Sequence, residues 1–219
     1  STIVDSYEYT VMEEKKVIQT VERTCIMVET QDMVANPWDS QFWLFFPDVE
    51  FGEGQTVTVS MEVRAEKDAT SGTQTHSGPG GYRHWMGIGT VPFTTDWTEY
   101  TYTGKIEGAM VGSNAFAFNL NDFKEANKYY FDNISLKLDG VELVSNGNLD
   151  GDDMTNFIAK EYPNPGADAT SYARKIESYT IEVPGGRTPL TPEEKKDTLM
   201  WAMDNWIKGM MTATEGYVT

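Results

Sequence analysis

The chain has one cysteine, few basic residues and no long apolar segment. Because Cys25 stands alone among 219 residues, no internal disulfide and no multi-cysteine metal site can form within the chain. No run approaches the roughly 20 apolar residues that a membrane-spanning helix needs. The opening STIVDSYEYT lacks the basic and apolar regions of a signal peptide. We therefore expect an excised or mature piece of a larger protein.

Basic residues are scarce relative to acidic ones. The chain has 17 Lys and Arg against 34 Asp and Glu, which gives a formal net charge of −17. A negative field of this size repels phosphate backbones and anionic membranes, so we expect no nucleic-acid partner and no membrane insertion. A neutral ligand such as a glycan meets no such repulsion.

Residues suited to catalysis are also scarce. His76 lies in the glycine-rich turn THSGPGG, no residue identifiable from the sequence is placed to orient His84, and no G-x-S-x-G motif occurs. Glycoside hydrolysis needs two carboxylates at a defined separation, and with 34 acids a count decides nothing. Glu62 is the best single candidate, although a solvated carboxylate or an acceptor for sugar hydroxyls is the better interpretation. The sequence therefore predicts no enzyme.

Short strand-like runs separated by turns fill the first two thirds of the chain. In the clearest run, Val57 to Ala65, apolar and polar residues alternate, as expected for a strand with one buried face. Turn signals such as FGEG, SGPGG and TTD separate the runs, and no helical period lies between them. This pattern predicts an all-β fold, an antiparallel β-sandwich.

The last third of the chain changes character. Residues 145–190 are rich in Asn, Asp, Gly and Pro, which is typical of loops. Thr191, Pro192 and Glu194 then form a helix-start signal, and an amphipathic helix follows. The apolar positions of this helix are Leu199, Met203, Trp206, Ile207 and Met210. The predicted parts are a sandwich (1–144), a loop-rich linker or partial second module (145–190) and a C-terminal helix as an appendage (191–219).

Strand parity predicts a surface suited to sugar, because aromatic rings stack on pyranose faces and polar side chains bind hydroxyls. If Phe42 and Leu44 fill the core, Trp43 points outward; if Met86 and Ile88 point inward, Trp85 points outward. The predicted outer face contains Gln41, Trp43, Glu62, Arg64, Trp85, Asn119 and Asn121. The alternative is that either indole lies in the core, with the parity wrong by one residue.

Two aspartates are candidates for a metal site. Asp132 lies in the aromatic-rich strand YYFDNISL and needs a partner if it is partly buried, either a structural cation or a backbone or arginine group. Asp150 lies in NGNLDGDD, which partly fits the start of a calcium loop, but Phe157 occupies the twelfth position where an acid is expected. An ordinary Asn and Asp turn explains the second stretch better. Beyond a structural calcium, we expect no cofactor.

Several landmarks make a family resemblance specific. The successive segments NPWDSQFWL, VEFGEGQTVTVSMEVRAE, TTDWTEYTYTG, FAFNLND and YYFDNISL resemble carbohydrate-binding modules of families 4, 9 and 22. The resemblance covers roughly residues 22–139 and implies a jelly-roll sandwich that binds xylan or related β-glucans. The most similar variant is the xylan-binding module that is inserted within a family 10 glycoside hydrolase of gut Bacteroidetes.

This resemblance has implications for individual residues. Trp38 matches a loop aromatic that stacks on sugar, and Asn119 or Asn121 matches a polar contact that is often an acid in family 22. The same resemblance implies a structural calcium near Asp132. However, no N-x-x-F-E type strand precedes residue 22, and NGNLDGDD follows the module instead.

The C-terminal segment carries a second resemblance. TPEEKKDTLMWAMDNWIKGMMTATEGYV resembles a barrel helix of a family 10 xylanase. In that family the general acid, in a W-D-x-x-N-E type motif, follows such a helix, so we expect the catalytic residues to lie outside this chain. The predicted function is a non-catalytic module that binds xylan or xylo-oligosaccharides and targets an attached endo-xylanase. We expect it outside the cell, at the cell surface or in the periplasm. The alternative is a spacer sandwich that packs on the catalytic domain and binds no sugar.

Overall fold

Antiparallel β-strands make up most of the protein in its computed structural model, which describes residues 16–32, 35–160, 171–185 and 192–213. The strands are β1 (Lys16–Glu29), β2 (Gln41–Phe45), β3 (Thr56–Ala65), β4 (Ala69–His76), β5 (Tyr82–Phe93), β6 (Thr98–Lys105), β7 (Ala115–Asn119), β8 (Lys128–Leu138), β9 (Val141–Glu142), β10 (Phe157–Lys160), β11 (Ser171–Tyr172) and β12 (Arg174–Pro184). A 3₁₀ helix spans Gly108–Met110, and the α-helix α1 spans Pro192–Ala213.

The strands form two sheets. The front sheet has the order β11-β10-β2-β7-β4-β5, and the back sheet has the order β12-β1-β8-β3-β6, with β9 paired to β8. The strand pairs within the front sheet, and the pairs β1–β8, β8–β3, β3–β6 and β8–β9 of the back sheet, run antiparallel. The prediction of an all-β sandwich with a C-terminal helix is confirmed.

The core lies between the two sheets. The apolar residues of β3 that were predicted to point inward are fully buried: Val57, Val59, Met61, Val63 and Ala65. From the front sheet, Phe42 packs its ring 4.2 Å from that of Phe131 on the back sheet. Full burial of a large apolar side chain stabilises a fold by about 1.5–3 kcal/mol. The alternation in the sequence therefore specifies which strand faces meet.

The predicted domain boundary after residue 144 is wrong. Strand β10 pairs with β2 inside the front sheet, the Ile134 amide donates to the Gly147 carbonyl (2.8 Å), and Leu149 is buried in the core. The chain divides into a compact unit Thr20–Ile181 and a second unit, Ser1–Gln19 with Glu182–Thr219. Much of the segment predicted as a linker is thus part of the sandwich, because a four-residue strand is too short to stand out among polar loops.

Helix α1 belongs to the second unit and begins at Pro192, as predicted; the proposed cap, Thr191, lies outside the described residues. Glu193 and Glu194 occupy its first turn, where negative charge complements the helix dipole. All its described side chains are exposed. No helix in the described part of the chain is long and apolar enough to cross a bilayer.

Candidate functional site

The outer face of the front sheet carries three rows of side chains in register across its strands. We call this surface the front face. Residues paired across antiparallel strands project from the same side, so each row forms one line of neighbours. The rows are Lys160, Gln41, Asn119 and Gly72; Ile158, Trp43, Ala117, Gln74 and Met86; and Phe45, Ala115, His76 and Tyr82.

Side-chain amides occupy the middle of the front face. Gln41 Nε2 donates to Asn119 Oδ1 at 2.9 Å, and Trp43 Nε1 donates to Gln41 Oε1 at 3.2 Å. Within the described ranges, Asn119 Nδ2 and the amide of Gln74 make no hydrogen bond. An amide nitrogen has two donors, so these groups can bind hydroxyl oxygens of a ligand.

Exposed aromatic side chains lie on the two outermost strands of the front sheet and in the loop before β2. Trp38, in the loop before β2, is 47% exposed, and Lys160 donates to its carbonyl oxygen at 3.4 Å. Tyr82 is 42% exposed at the far end of the third row, and Tyr172, the register partner of Ile158, is 67% exposed. The front face therefore combines rings that can stack on sugar with amides that can bind hydroxyls.

Trp43 projects from the predicted face, but its predicted exposure is wrong. The indole is fully buried, with its ring 5.0 Å from the His76 ring and 6.1 Å from the Tyr82 ring. Gln41, which is 4% exposed, accepts its N–H. Trp43 thus forms the floor of the front face. Its cover comes from β4 and β5, which are distant in sequence.

Trp85 does not lie on the front face. Its register partner Thr75 is also paired with Phe116, whose side chain is in the core, so Trp85 projects from that side of β5. It is 40% exposed, with its ring against Gly108 in the 3₁₀ helix. Met86 was predicted to point inward, but it is 56% exposed on the front face. The parity assigned to this part of β5 is therefore wrong by one residue, the alternative stated above.

A bulge in β5 causes this reversal. The register passes from Gly72–Thr90 to Gln74–Met86, so three residues of β5 lie opposite Thr73 alone. Gly89 adopts a φ of 90°, which favours glycine. The Thr73 hydroxyl donates to the Gly89 carbonyl (2.5 Å) and accepts from the Ile88 amide (2.8 Å). Ile88 stays in the core, while the residues before the bulge change sides.

Glu62 and Arg64 belong to β3 of the back sheet, so the prediction that they share a face with Trp43 is wrong. Arg64 is 7% exposed; its Nε donates to the Thr95 carbonyl at 2.8 Å, and its guanidinium lies 5.2 Å from the Tyr130 ring and 4.9 Å from the Tyr179 ring. Both polar side chains therefore lie away from the front face.

Asn121 was also predicted to be exposed, but it is 1% exposed. Its backbone amide donates to the carbonyl of Pro37, in the loop that carries Trp38, at 3.0 Å. Neither polar atom of its side chain has a partner among the described residues. Asn121 therefore anchors the loop that carries Trp38 through its backbone, and its buried side chain is not available to contact a ligand at the surface.

The partner of Asp132 is an arginine, one of the alternatives left open above. Arg23 Nε donates to Asp132 Oδ2 at 2.8 Å, and Arg23 Nη2 donates to Glu62 Oε2 at 2.5 Å. The guanidinium also lies 3.7 Å from the centre of the Trp97 ring. Cys25 is buried in the neighbouring apolar cluster, and burial raises the pKa of its thiol to about 12, so the thiol is unreactive.

Asp150 lies in a separate loop and accepts from Asn148 Nδ2 at 2.6 Å. Lys175 Nζ binds the Gly151 carbonyl of the same loop at 2.7 Å. Within the described ranges, no group of three or more His, Cys, Asp or Glu side chains is placed to hold a metal. A structural calcium stays a prediction.

Replacing Arg23 with leucine is expected to destabilise the sandwich by about 1–2 kcal/mol, because Asp132 is buried and would lose its cation. The figure is below that of a fully buried pair because Arg23 and Glu62 are partly solvated. Urea unfolding measures the change. Lys67→Leu, which removes an exposed pair with Glu125, is the control and should change stability by less than about 0.5 kcal/mol. Equal losses in both variants would contradict the assignment.

Among the residues of the front face that the sequence-based prediction missed, three are candidates for ligand contact: Gln74, Tyr82 and Tyr172. A weak signal existed for Gln74, which alternates with Gly72 and His76 along a polar strand. Tyr82 follows the SGPGG turn and starts a strand whose parity the bulge obscures. Tyr172 belongs to a two-residue strand that no periodicity could indicate.

The fold can be compared with solved structures. A carbohydrate-binding module of PbXyn10C, in its apo form, superposes with a TM-score of 0.51 at 16% identity, over 75% of this chain and 91% of that one. This chain has the fold of a carbohydrate-binding module. Weaker matches are a CBM4 structure (TM-score 0.39, 20% identity, 49% of this chain and 66% of that one) and the apo BiXyn10A CBM1 (0.36, 18%, 49% and 71%). Although the fold is that of a carbohydrate-binding module, no protein-family model matches the sequence of this chain, and no curated protein matches it.

Proposed function

We propose that the front face binds xylan or xylo-oligosaccharides and that the chain is a non-catalytic module that targets an attached endo-xylanase to its substrate. One observation carries the proposal: among the described residues, the unpaired Asn119 Nδ2 and the unpaired Gln74 amide lie between the strands that carry the exposed rings of Tyr172 and Tyr82. The fold shared with a carbohydrate-binding module supports the sugar-binding part, and the family resemblance of the sequence supports xylan.

The dimensions of the front face suit an extended chain of sugars. Gln41 and Phe45 are about 13 Å apart along β2, and Tyr82 lies three strand spacings, about 14 Å, from Phe45. The diagonal from Gln41 to Tyr82 is therefore about 19 Å, long enough for several sugar rings. The negative charge of the protein does not oppose a neutral polysaccharide.

The attached enzyme and the location are part of the same proposal. They rest on the resemblance of residues 191–219 to a xylanase barrel helix. The described part, α1, exposes Leu199, Met203 and Trp206, which belong to the predicted apolar stripe. An extracellular, cell-surface or periplasmic location follows from a polymeric substrate.

Alanine at Trp38 or Tyr82 is expected to weaken xylohexaose binding by about tenfold each, because each change removes a stacking ring and its apolar contact area. Isothermal titration against xylohexaose, cellohexaose and mannohexaose measures affinity and specificity. Trp85→Ala is the matched control, since Trp85 is similarly exposed but projects from the other side of β5.

The outcomes of this titration distinguish a site on the front face from a site elsewhere and from no sugar binding. Full binding by both front-face variants and loss of binding by Trp85→Ala would place the site at the edge of β5. No binding of any hexaose by the parent protein would overturn the proposed function and leave the spacer alternative.

A further inference from the structure

A shallow pocket of about 370 Å³ lies where β4 begins and β5 ends. The residues that line it include two acids, Asp68 and Asp122, two threonines, Thr70 and Thr94, and two phenylalanines, Phe93 and Phe123. We call it the branch pocket. Phe93 is buried, while Phe123 is partly exposed, so one aromatic surface is accessible from the pocket.

Gly72 joins the branch pocket to the front face. It is the register partner of Asn119, in the first row of the front face. Asp122 Oδ2 accepts its backbone N–H at 2.6 Å, and a Cβ added at Gly72 would lie 3.0 Å from the same oxygen. The carboxylate therefore occupies the space into which a side chain at position 72 would project, beside the Asn119 amide.

The chemistry of the branch pocket selects by charge. Carboxylates and threonine hydroxyls accept hydrogen bonds from sugar hydroxyls, and the phenyl ring can contact an apolar sugar face. The lining contains two acids and no lysine or arginine. An anionic group placed there would be repelled by two like charges, whereas an uncharged group would not.

We propose that the branch pocket accepts an uncharged side branch of the bound xylan, such as an arabinosyl group, and excludes an acidic branch, such as a glucuronosyl group. This inference rests on the proposed function, because the main chain must lie on the front face for its branch to reach the pocket. It makes Asp68 and Asp122 determinants of specificity among decorated xylans.

The test compares three xylo-oligosaccharides by isothermal titration: unbranched, with one arabinosyl branch, and with one glucuronosyl branch. The parent should bind the glucuronosyl form about tenfold more weakly than the arabinosyl form at low salt. Raising the salt concentration should narrow this gap, because salt screens exposed charges. The double variant D68N/D122N keeps the hydrogen-bond acceptors and should reduce the gap to about twofold.

Asp139→Asn is the matched control. Asp139 also accepts a strand N–H, that of Thr56, but it lies in the turn between β8 and β9 of the back sheet, so this variant should keep the full difference in affinity. The branch-pocket proposal would be overturned, while the proposed function stands, if the parent bound the arabinosyl and glucuronosyl forms equally well. The same conclusion would follow if neither salt nor the double variant changed the difference in affinity between them. No binding of the unbranched oligosaccharide by the parent would overturn both.

Discussion

Replacing Trp43 with alanine is expected to lower the free energy of unfolding by about 3–5 kcal/mol. The indole is fully buried beneath the front face, packs against His76, Ala117 and Ile158, and donates its N–H to Gln41. Alanine would leave a cavity the size of the indole and would remove the hydrogen-bond donor to the side-chain oxygen of Gln41, Oε1. Urea unfolding followed by circular dichroism measures the loss as a lower midpoint with an unchanged slope.

Two further variants serve as controls for the Trp43→Ala result. Trp38→Ala removes an exposed indole and should change stability by less than about 0.5 kcal/mol, although it weakens xylohexaose binding. Trp43→Phe keeps part of the packing and should lie between Trp43→Ala and the parent. A loss below about 1 kcal/mol for Trp43→Ala would show that the indole is not enclosed, and the account of the front-face floor would be wrong.

Acid is expected to weaken the fold through His76. Its ring is 1% exposed, and its Nδ1 accepts from the backbone N–H of Arg83 at 3.0 Å, so the ring must be neutral at that nitrogen. Burial, and secondarily the charge of His84, lowers the pKa of His76 from 6.5 to about 4. The unfolded chain therefore binds this proton more readily than the folded one.

The direction of the effect follows from that difference. The His76 contribution to stability is fully present above pH 6.5, the unfolded pKa, and is lost as the pH falls towards 4, the folded pKa. At pH 4 the loss is about 3 kcal/mol, from about 1.36 kcal/mol per pKa unit. The many acidic residues also titrate in this range, so the informative quantity is the difference from a variant without the imidazole.

His76→Asn is that variant, because Asn Oδ1 can replace Nδ1 as an acceptor. Between pH 7 and pH 4 the stability of the parent relative to His76→Asn should fall by about 3 kcal/mol. With His84→Asn as the background, the fall should be somewhat smaller, since the charge of His84 is the second cause of the low pKa. A difference that stays constant with pH would contradict the burial of a neutral His76.

The sequence was sufficient to predict the fold class and the inward faces of several strands. The alternation in β3 identified Val57, Val59 and Met61 as core residues, and all three are fully buried. In β2 the same rule correctly separated Phe42 and Leu44 from Gln41 and Trp43. Period-two patterning is reliable here because β2 pairs regularly with both neighbours and β3 pairs regularly with β6, while the irregularity opposite Met61 adds its extra residue to β8.

The parity of β5 could not be predicted, because a bulge at Gly87–Gly89 breaks the period. Two glycines flanking Ile88 were the only local sign. A glycine in a strand is equally consistent with an open surface and with an irregularity. The interpretation that these glycines expose Trp85 was therefore reasonable but wrong.

The assignment of strands to sheets also lay beyond the sequence. Alternation shows that Glu62 and Trp43 both project away from the core, but it does not show that β3 and β2 belong to opposite sheets. Likewise, the burial of Trp43 depends on His76 and Tyr82, which the hairpin of β4 and β5 brings over it. Such contacts are set by tertiary topology and have no local signal.

The central claim, that the front face is the xylan-binding surface, is tested most directly by NMR of the ¹⁵N-labelled protein during titration with xylohexaose. The side-chain amide signals of Asn119 and Gln74, and the backbone signals around Trp38 and Tyr82, should shift in proportion to bound ligand. The backbone signals of Thr58, Ser60 and Arg64 on the back sheet should stay in place. Shifts confined to the back sheet, or to the edge of β5 around Trp85, would contradict the account.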